Sequence, residues 1–329
     1  MDIWITLTFF VLAGLLTWIS RRRTFVRPDG VAIFISGCDS GIGRKLAEYF
    51  AEMGCLVFAG CLDPNNLNSL PDNVRTVRLN LMDEDSVREA VAAVKSILVK
   101  EKKELWALVN NAGVCVYGPF EWQTARQRDW QVDVNLKGTM RLTRECIPLL
   151  RRSRGRIITV SSVNGNIAYP GLAVYSATKF ALEGFSDALR IELGPRHGIR
   201  VIIVQPGDYA RITSLMSNHK RHALEMWNDM ASEEQEQVKT EFQKYHAAVL
   251  QNYGLSSPTS WERSPLLQDM KEAMFGENPS SRYLSAPFAH RLIYRALALS
   301  PHQYTDFLLI KIAKLVIDSA DNGKNVSSL

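Results

Sequence analysis

Six short, mostly apolar runs separated by stretches of helical periodicity constrain this chain more than any other feature. The runs span residues 31–36, 56–59, 74–79, 105–109, 156–160 and 200–205, and amphipathic stretches such as 44–53 and 86–99 lie between them. Nearly continuous apolar strands joined through helices form a parallel sheet covered on both faces. The predicted fold is therefore α/β, a doubly wound parallel sheet whose ligands bind beyond the carboxyl ends of its strands. With 329 residues, 46% of them hydrophobic, the chain is long enough for one such domain with additions. That domain is expected over 29–329, with 208–300 as a helical substrate lid. In the lid, Ser232 and Gln235 have capping-box spacing ahead of a helix over 238–250. Residues 307–317 read as an amphipathic helix with Lys311 and Lys314 on one side. Such a helix either packs on the core or lies on a membrane surface.

Residues 3–19 are almost wholly apolar, at the short end of the roughly 17–25 residues that span a bilayer. Asp2 precedes the run and Arg21, Arg22 and Arg23 follow it, the reverse of a cleaved secretory signal. A transmembrane anchor over 1–23 is expected, with the catalytic body on the cytosolic face of an internal membrane such as the endoplasmic reticulum. Asn325 begins a glycosylation sequon that would go unused there. Cys38, Cys55, Cys61, Cys115 and Cys146 are odd in number and lack CxxC or Cys/His spacing, so neither a disulfide framework nor a zinc site is expected. The net charge of +5 is small and partly confined to the arginine triplet, which argues against nucleic acid as a partner.

Directly after the first run comes Ser36-Gly37-Cys38-Asp39-Ser40-Gly41-Ile42-Gly43, opening a helix. Glycines in such a turn let the backbone approach a pyrophosphate, which sits at the positive end of the helix dipole. The second run leads into Cys61, Leu62 and Asp63, and neither that turn nor Ser40 carries a lysine or arginine. A carboxylate there accepts from a free ribose hydroxyl, whereas a ribose phosphate wants a cation. The expected cofactor is NAD rather than NADP. Tyr175 and Lys179 are four residues apart, on one face of a helix. An unperturbed tyrosine titrates near 10, and a neighbouring ammonium together with a positively charged nicotinamide ring would lower that value.

The spacing G-x-x-x-G-x-G, the segment Asn110-Asn111-Ala112-Gly113 and the Tyr175/Lys179 pair resemble the short-chain dehydrogenase/reductase family over about residues 30–208. The resemblance implies that Ser162, thirteen residues before Tyr175, holds the substrate oxygen, with Ser161 as the alternative. It also implies that Asn135 acts behind Lys179, and that Lys179 holds the nicotinamide ribose. Gly37, Asp39, Ser40, Gly41, Ile42, Gly43, Asp63, Asn80, Asn111, Ala112, Gly113, Pro206 and Gly207 would line the cofactor. Arg211 stands where the family usually has threonine, and Thr213 follows two residues later, so the carboxamide partner stays open. The anchor and the glycine-turn sequence are most similar to the retinol, 17β- and 11β-hydroxysteroid and 3-hydroxybutyrate dehydrogenase branch.

That branch implies NAD-dependent interconversion of an alcohol and a carbonyl on an apolar small molecule, a steroid, sterol or retinoid. Tyr209, Leu215, Met216, Met226 and Trp227 are candidates for an apolar pocket. A small hydroxy acid such as 3-hydroxybutyrate is the alternative substrate, with Arg211 as its nearby cation. A dinucleotide-binding regulator without turnover is the alternative of another class, and the presence of both Tyr175 and Lys179 speaks against it. The resemblance leaves the oligomeric state open, with a homo-oligomer as one option because relatives are often dimers or tetramers.

Overall fold

The computed structural model describes residues 24–67 and 70–321, together with residues 6, 8 and 9. The predicted anchor therefore lies outside the described residues, apart from Thr6, Thr8 and Phe9, and so does Asn325. Among the described residues no helix is long and apolar enough to cross a membrane.

Seven strands form one sheet: β1 (Ala32–Ser36), β2 (Leu56–Cys61), β3 (Val74–Arg78), β4 (Leu105–Asn110), β5 (Arg156–Val160), β6 (Arg200–Pro206) and β7 (Arg282–Ser285). Their order is β3-β2-β1-β4-β5-β6-β7, and every neighbouring pair is parallel. Six of them are the predicted runs to within two residues. Strand alternation divides the core into two layers. Ile33 and Ile35 of β1 pack with Leu46, Ala47 and Phe50 of α1 (Gly41–Glu52) on one face. Ala32 and Phe34 pack on the other with Val87, Val94 and Leu98 of α2 (Glu84–Lys100).

Beyond β4, α3 (Ala125–Val132) starts from a capping box made by Thr124 and Gln127. It continues through a π-helical turn, Asp133–Gly138, into α4 (Thr139–Ser153). The long α5 (Ala173–His197) follows β5 and carries Tyr175 and Lys179 in its first two turns.

After β6 come α6 (His219–Asp229), α7 (Ser232–Asn252), α8 (Leu266–Phe275), β7, α9 (Phe288–Leu299) and α10 (His302–Asp321). Three features differ from expectation. The strand rhythm does not end at 208: β7 pairs with β6 through Ile203 and Arg282 to Pro206 and Ser285. Four residues are too few to display a period, and the exposed edge of β6 supplies the missing hydrogen bonds. Secondly, α8 is not a lid element, because Met270, Ala273, Met274 and Phe275 join the α1 core layer. Thirdly, Ser232 lies inside α7 and Ala231 caps it. The Gln235 amide reaches past the cap to donate to Trp227 O at 2.7 Å, so the capping box does not form.

The amphipathic helix over 307–317 exists within α10, which packs against α7. It buries Leu309 beside Leu297 and leaves Phe307, Leu308, Ile310, Ile312 and Leu315 exposed.

Candidate active site

Between β1 and β4 the strand order reverses, and the crevice at that switch point is where an open α/β sheet takes its ligand. Gly37 and Asn111 meet there. Asn111 Nδ2 donates to Ser36 O at 2.9 Å and to Gly37 O at 3.1 Å, while the Asn111 and Ala112 amides both donate to Ser36 Oγ at 3.1 Å. The NNAG segment thus ties the end of β4 to the glycine turn. Gly37 has φ +71°, and a β-carbon on it would stand 2.6 Å from Ala112 Cα. On Gly43 a β-carbon would stand 2.2 Å from Gly37 O and 2.4 Å from Asn111 Nδ2.

The turn can pack this closely on Ala112 and Asn111 only while those positions lack side chains. Ser40 precedes α1 without capping it, and the first turn of α1 carries no acid, so the helix N-terminus suits an anion. Ile42 packs toward the α1 core layer. The residues fit a dinucleotide.

At the end of β2, Asp39 Oδ1 accepts from the amides of Leu62 at 2.8 Å and Asp63 at 3.4 Å. Asp63 in turn accepts from Asn65 N at 3.0 Å. Burial first, and then the Asp39 and Asp63 carboxylates, push the Cys61 thiol up to about 11. Two carboxylates therefore set a negative potential where the ribose would lie. Asn80 Oδ1 accepts from Met82 N at 3.1 Å, so the oxygen expected to face the adenine already serves a turn.

The catalytic candidates converge beyond β5. Asn135, buried in the π-helical turn, accepts from Val114 N at 2.7 Å. It donates to Val114 O at 2.9 Å and to Thr178 Oγ1 at 3.1 Å. Lys179 Nζ donates to Val160 O at 3.0 Å and lies 5.5 Å from the Tyr175 ring centroid. A β-carbon on Gly113 would touch both Asn135 Oδ1 and Lys179 Nζ at 3.5 Å, which puts the glycine at the junction of the cofactor and catalytic groups. Ser162 Oγ accepts from Asn164 N at 3.1 Å and shares a hydrogen bond with Tyr175. Ser161 instead continues the sheet through Val204 O, and its hydroxyl has no hydrogen-bond partner among the described residues.

The chain's own groups do not lower the Tyr175 pKa. Burial pushes the phenol well above its ordinary range, Cys115 adds to that, and only the Ser162 hydrogen bond opposes it. Burial also pulls Lys179 down to about 8, against Cys115 and Glu183. Desolvation penalises the charged form of each group, so neither helps the other ionise here. Tyr175 is held as an acid.

Past β6, Gly207 N donates to Ser285 O at 2.9 Å, which carries the pairing with β7 one residue beyond Pro206. A β-carbon on Gly41 would meet Thr213 at 3.5 Å, and Ser214 Oγ lies 2.6 Å from Ser40 Oγ. Thr213 and Ser214 thus close on the glycine turn. Arg211 is exposed, its amide donating to Ser257 Oγ at 3.3 Å.

Of the pocket candidates, Tyr209 is a core residue, stacked on Trp261 and bonded to Ser264. Met226 is buried with Val116, Trp122 and Phe242, and Trp227 packs on that cluster. The sequence reading passed over Cys115 and Tyr117, which lie within electrostatic reach of Tyr175. The signal was their place, two and four residues beyond Gly113 at the end of a motif already located.

A family model described as short chain dehydrogenase matches residues 31–223. The chain belongs to the short chain dehydrogenase family. Curated relatives place it in the expected branch. Mitochondrial D-beta-hydroxybutyrate dehydrogenase of Mus musculus is 36% identical over 276 residues, covering 80% of each chain. Retinol dehydrogenase 7 of Mus musculus is 32% identical over 314 residues, 93% of this chain and 96% of its own. The 17-beta-hydroxysteroid dehydrogenase type 6 of Bos taurus is 32% identical over 311 residues, 92% and 95% of the two chains.

Among solved structures, a short chain dehydrogenase from Burkholderia cenocepacia J2315 in complex with NADP covers 86% of this chain and 99% of its own. Its TM-score is 0.64 at 23% identity, a likeness of fold. The 3-ketoacyl-(acyl-carrier-protein) reductase from Brucella melitensis complexed with NADH has TM-score 0.53 at 29% identity, covering 60% and 82%. This short chain dehydrogenase is an oxidoreductase acting on CH–OH groups. Its fold relatives bind NAD(P).

Proposed function

We propose that this enzyme uses NAD to oxidise a secondary alcohol on an apolar substrate, a steroid, sterol or retinoid, at a membrane surface. The observation that carries the substrate class is the lid on the side of Tyr175 that bears Tyr117. Trp122, Met226, Trp227, Phe242 and Tyr245 pack there as one apolar, aromatic cluster, and a substrate wedged against such a cluster would be apolar. Arg211, the cation considered for a small acid, is exposed and backs onto Gly254. The match to the retinol and 17β-hydroxysteroid relatives over more than nine-tenths of the chain supports the same class. The 36% identity to D-beta-hydroxybutyrate dehydrogenase favours 3-hydroxybutyrate as the second reading.

In the reaction, Ser162 and Tyr175 would hold the substrate oxygen, and Tyr175 would take the hydroxyl proton as the phenolate, a form that its burial opposes and that a positive charge beside the ring favours. A bound NAD would supply the hydride acceptor and the positive charge of its nicotinamide ring. Lys179 holds the ribose, and Asn135 fixes the turn against which Lys179 is packed. For the choice of dinucleotide, the paired carboxylates Asp39 and Asp63 disfavour the 2′-phosphate of NADP.

Membrane association is supported by an exposed apolar face on α9 and α10. It includes Phe288, Leu292, Ile293, Leu299, Phe307 and Ile310, with Lys311 and Lys314 beside it. Single exposed apolar residues are ordinary, and it is their number on two successive helices that supports an interaction surface. The sequence places it with an anchor at 1–23 and the body facing the cytosol from the endoplasmic reticulum. Vesicle flotation of the full chain tests this, and recovery of all protein in the unbound fraction refutes it.

The function itself is tested by incubating the full chain with NAD and a panel of steroids, retinoids, sterol precursors and 3-hydroxybutyrate, following NADH absorbance. Turnover confined to 3-hydroxybutyrate overturns the apolar-substrate reading.

A further inference from the structure

A buried pair of histidines stands in the lid and takes no part in the steps above. His219 opens α6 and His246 lies within α7, only 2% and 7% exposed. Their ring centroids are 5.0 Å apart, and His246 Nδ1 lies 3.1 Å from His219 Nε2. That contact uses one nitrogen of each ring. The other two, His219 Nδ1 and His246 Nε2, are buried and have no hydrogen-bond partner among the described residues.

A neutral imidazole has one donor nitrogen and one acceptor nitrogen. The mutual hydrogen bond consumes one of each, so in either tautomeric arrangement one outer nitrogen is a donor and the other an acceptor. Burial keeps both rings neutral. Desolvation and His222 pull His219 down to about 4, and desolvation and His219 pull His246 to about 3. Each buried polar atom left unsatisfied costs about 1–3 kcal/mol, a cost that a partner for the two outer nitrogens would remove.

Its neighbours connect it to the reacting end of the site. The Tyr117 ring meets His219 edge-on at 6.3 Å, and Tyr117 lies within electrostatic reach of Tyr175, Cys115 and Tyr245. Tyr245, 5.2 Å from His246, sets its hydroxyl 2.1 Å from where a β-carbon on Gly171 would stand. Gly171 lies four residues before Tyr175. Phe242 and Trp122 cover His246 at 4.3 and 6.1 Å. Between these aromatic walls the two outer nitrogens are unmatched polar atoms.

We infer that His219 and His246 bind a second hydroxyl of the substrate, while Ser162 and Tyr175 hold the one that is oxidised. The inference rests on the alcohol-oxidation reading. A hydroxyl both donates and accepts, so it complements either outer nitrogen in either tautomer. A carboxylate only accepts, and it would bring an uncompensated charge among aromatic rings. The substrate is then an apolar framework carrying two hydroxyls set apart along its length.

The test compares a steroid diol with the monool that lacks the distal hydroxyl, using the full chain and NAD. In His246→Phe and His219→Phe the diol-over-monool ratio of kcat/KM falls about tenfold, the loss of one buried hydrogen bond. His246→Gln, which keeps a donor and an acceptor, restores much of it. Quenching of tryptophan fluorescence gives the dissociation constants of the same two steroids without turnover, and the diol-over-monool binding preference falls in parallel. An unchanged ratio in the folded Phe variants, or an equal loss for both steroids, overturns the inference. If the unmodified enzyme oxidises neither steroid, the oxidation reading fails, and the binding ratio still decides the role of the pair. Should the Phe variants not fold, a binding ratio near one for the unmodified enzyme overturns it.

Discussion

Replacing Lys179 with methionine should make the folded chain more stable at neutral pH while removing its turnover. Lys179 is only 4% exposed, and burial pulls it from the ordinary 10.5 down to about 8. At about 1.4 kcal/mol per pH unit, charging the folded amine below pH 8 costs about 3 kcal/mol relative to the unfolded chain. Between pH 8 and 10.5 the native lysine has released its proton and the unfolded one has not. The unfolded state then binds more protons, so stability rises with pH across that window.

Methionine removes this dependence and also the hydrogen bond to Val160 O at 3.0 Å, worth about 1 kcal/mol. Lys179→Met is therefore expected to be about 2 kcal/mol more stable than the natural chain at pH 7. Near pH 10 the two should be about equal. Urea unfolding followed by tryptophan fluorescence at both pH values gives the difference, and the ionisation of other groups cancels in the comparison. A variant less stable than the natural chain by the same amount at pH 7 and pH 10 would refute the reasoning. Lys179 would then be fully charged in the folded site.

Two further outcomes follow from the cradle. Gly43→Ala drives a β-carbon against Gly37 O and Asn111 Nδ2 and disrupts the two hydrogen bonds that Asn111 makes there. A loss of about 2 kcal/mol weakens NADH binding about 30-fold in a fluorescence titration, and binding within threefold of the natural chain would contradict the cradle. Asp63→Ala removes one of two carboxylates near the ribose, so the kcat/KM preference for NAD over NADP should fall about tenfold. A natural enzyme that prefers NADP would sink the electrostatic account.

The features legible in the sequence were those with a local signature. Strands β1 to β6 showed because both their faces are covered, which forces nearly continuous apolar runs. β7 offered only Arg282-Tyr283-Leu284-Ser285, and its identity comes from the edge of β6. Tyr175 and Lys179 were nameable from their spacing, Ser162 and Asn135 only through the family resemblance, and the fold brings Lys179 and Asn135 together at Gly113. Their proton chemistry was not legible, because the terms that dominate it, desolvation and the approach of Cys115, exist only after folding. The same is true of His219 and His246. They lie 27 residues apart on separate helices and no motif joins them. Asp39 was expected at the cofactor, but its role in holding Leu62 and Asp63 needed the packing of β1 beside β2.

The measurement closest to the central claim is the turnover of Tyr175→Phe beside the natural enzyme, with NAD and the most active alcohol of the panel. Removing the hydroxyl removes the proton acceptor and leaves the cradle untouched. NADH formation should fall at least 1,000-fold, roughly 4 kcal/mol of barrier, while NADH binding stays within threefold. Turnover by the variant equal to that of the natural enzyme would contradict Tyr175 as the catalytic acid/base.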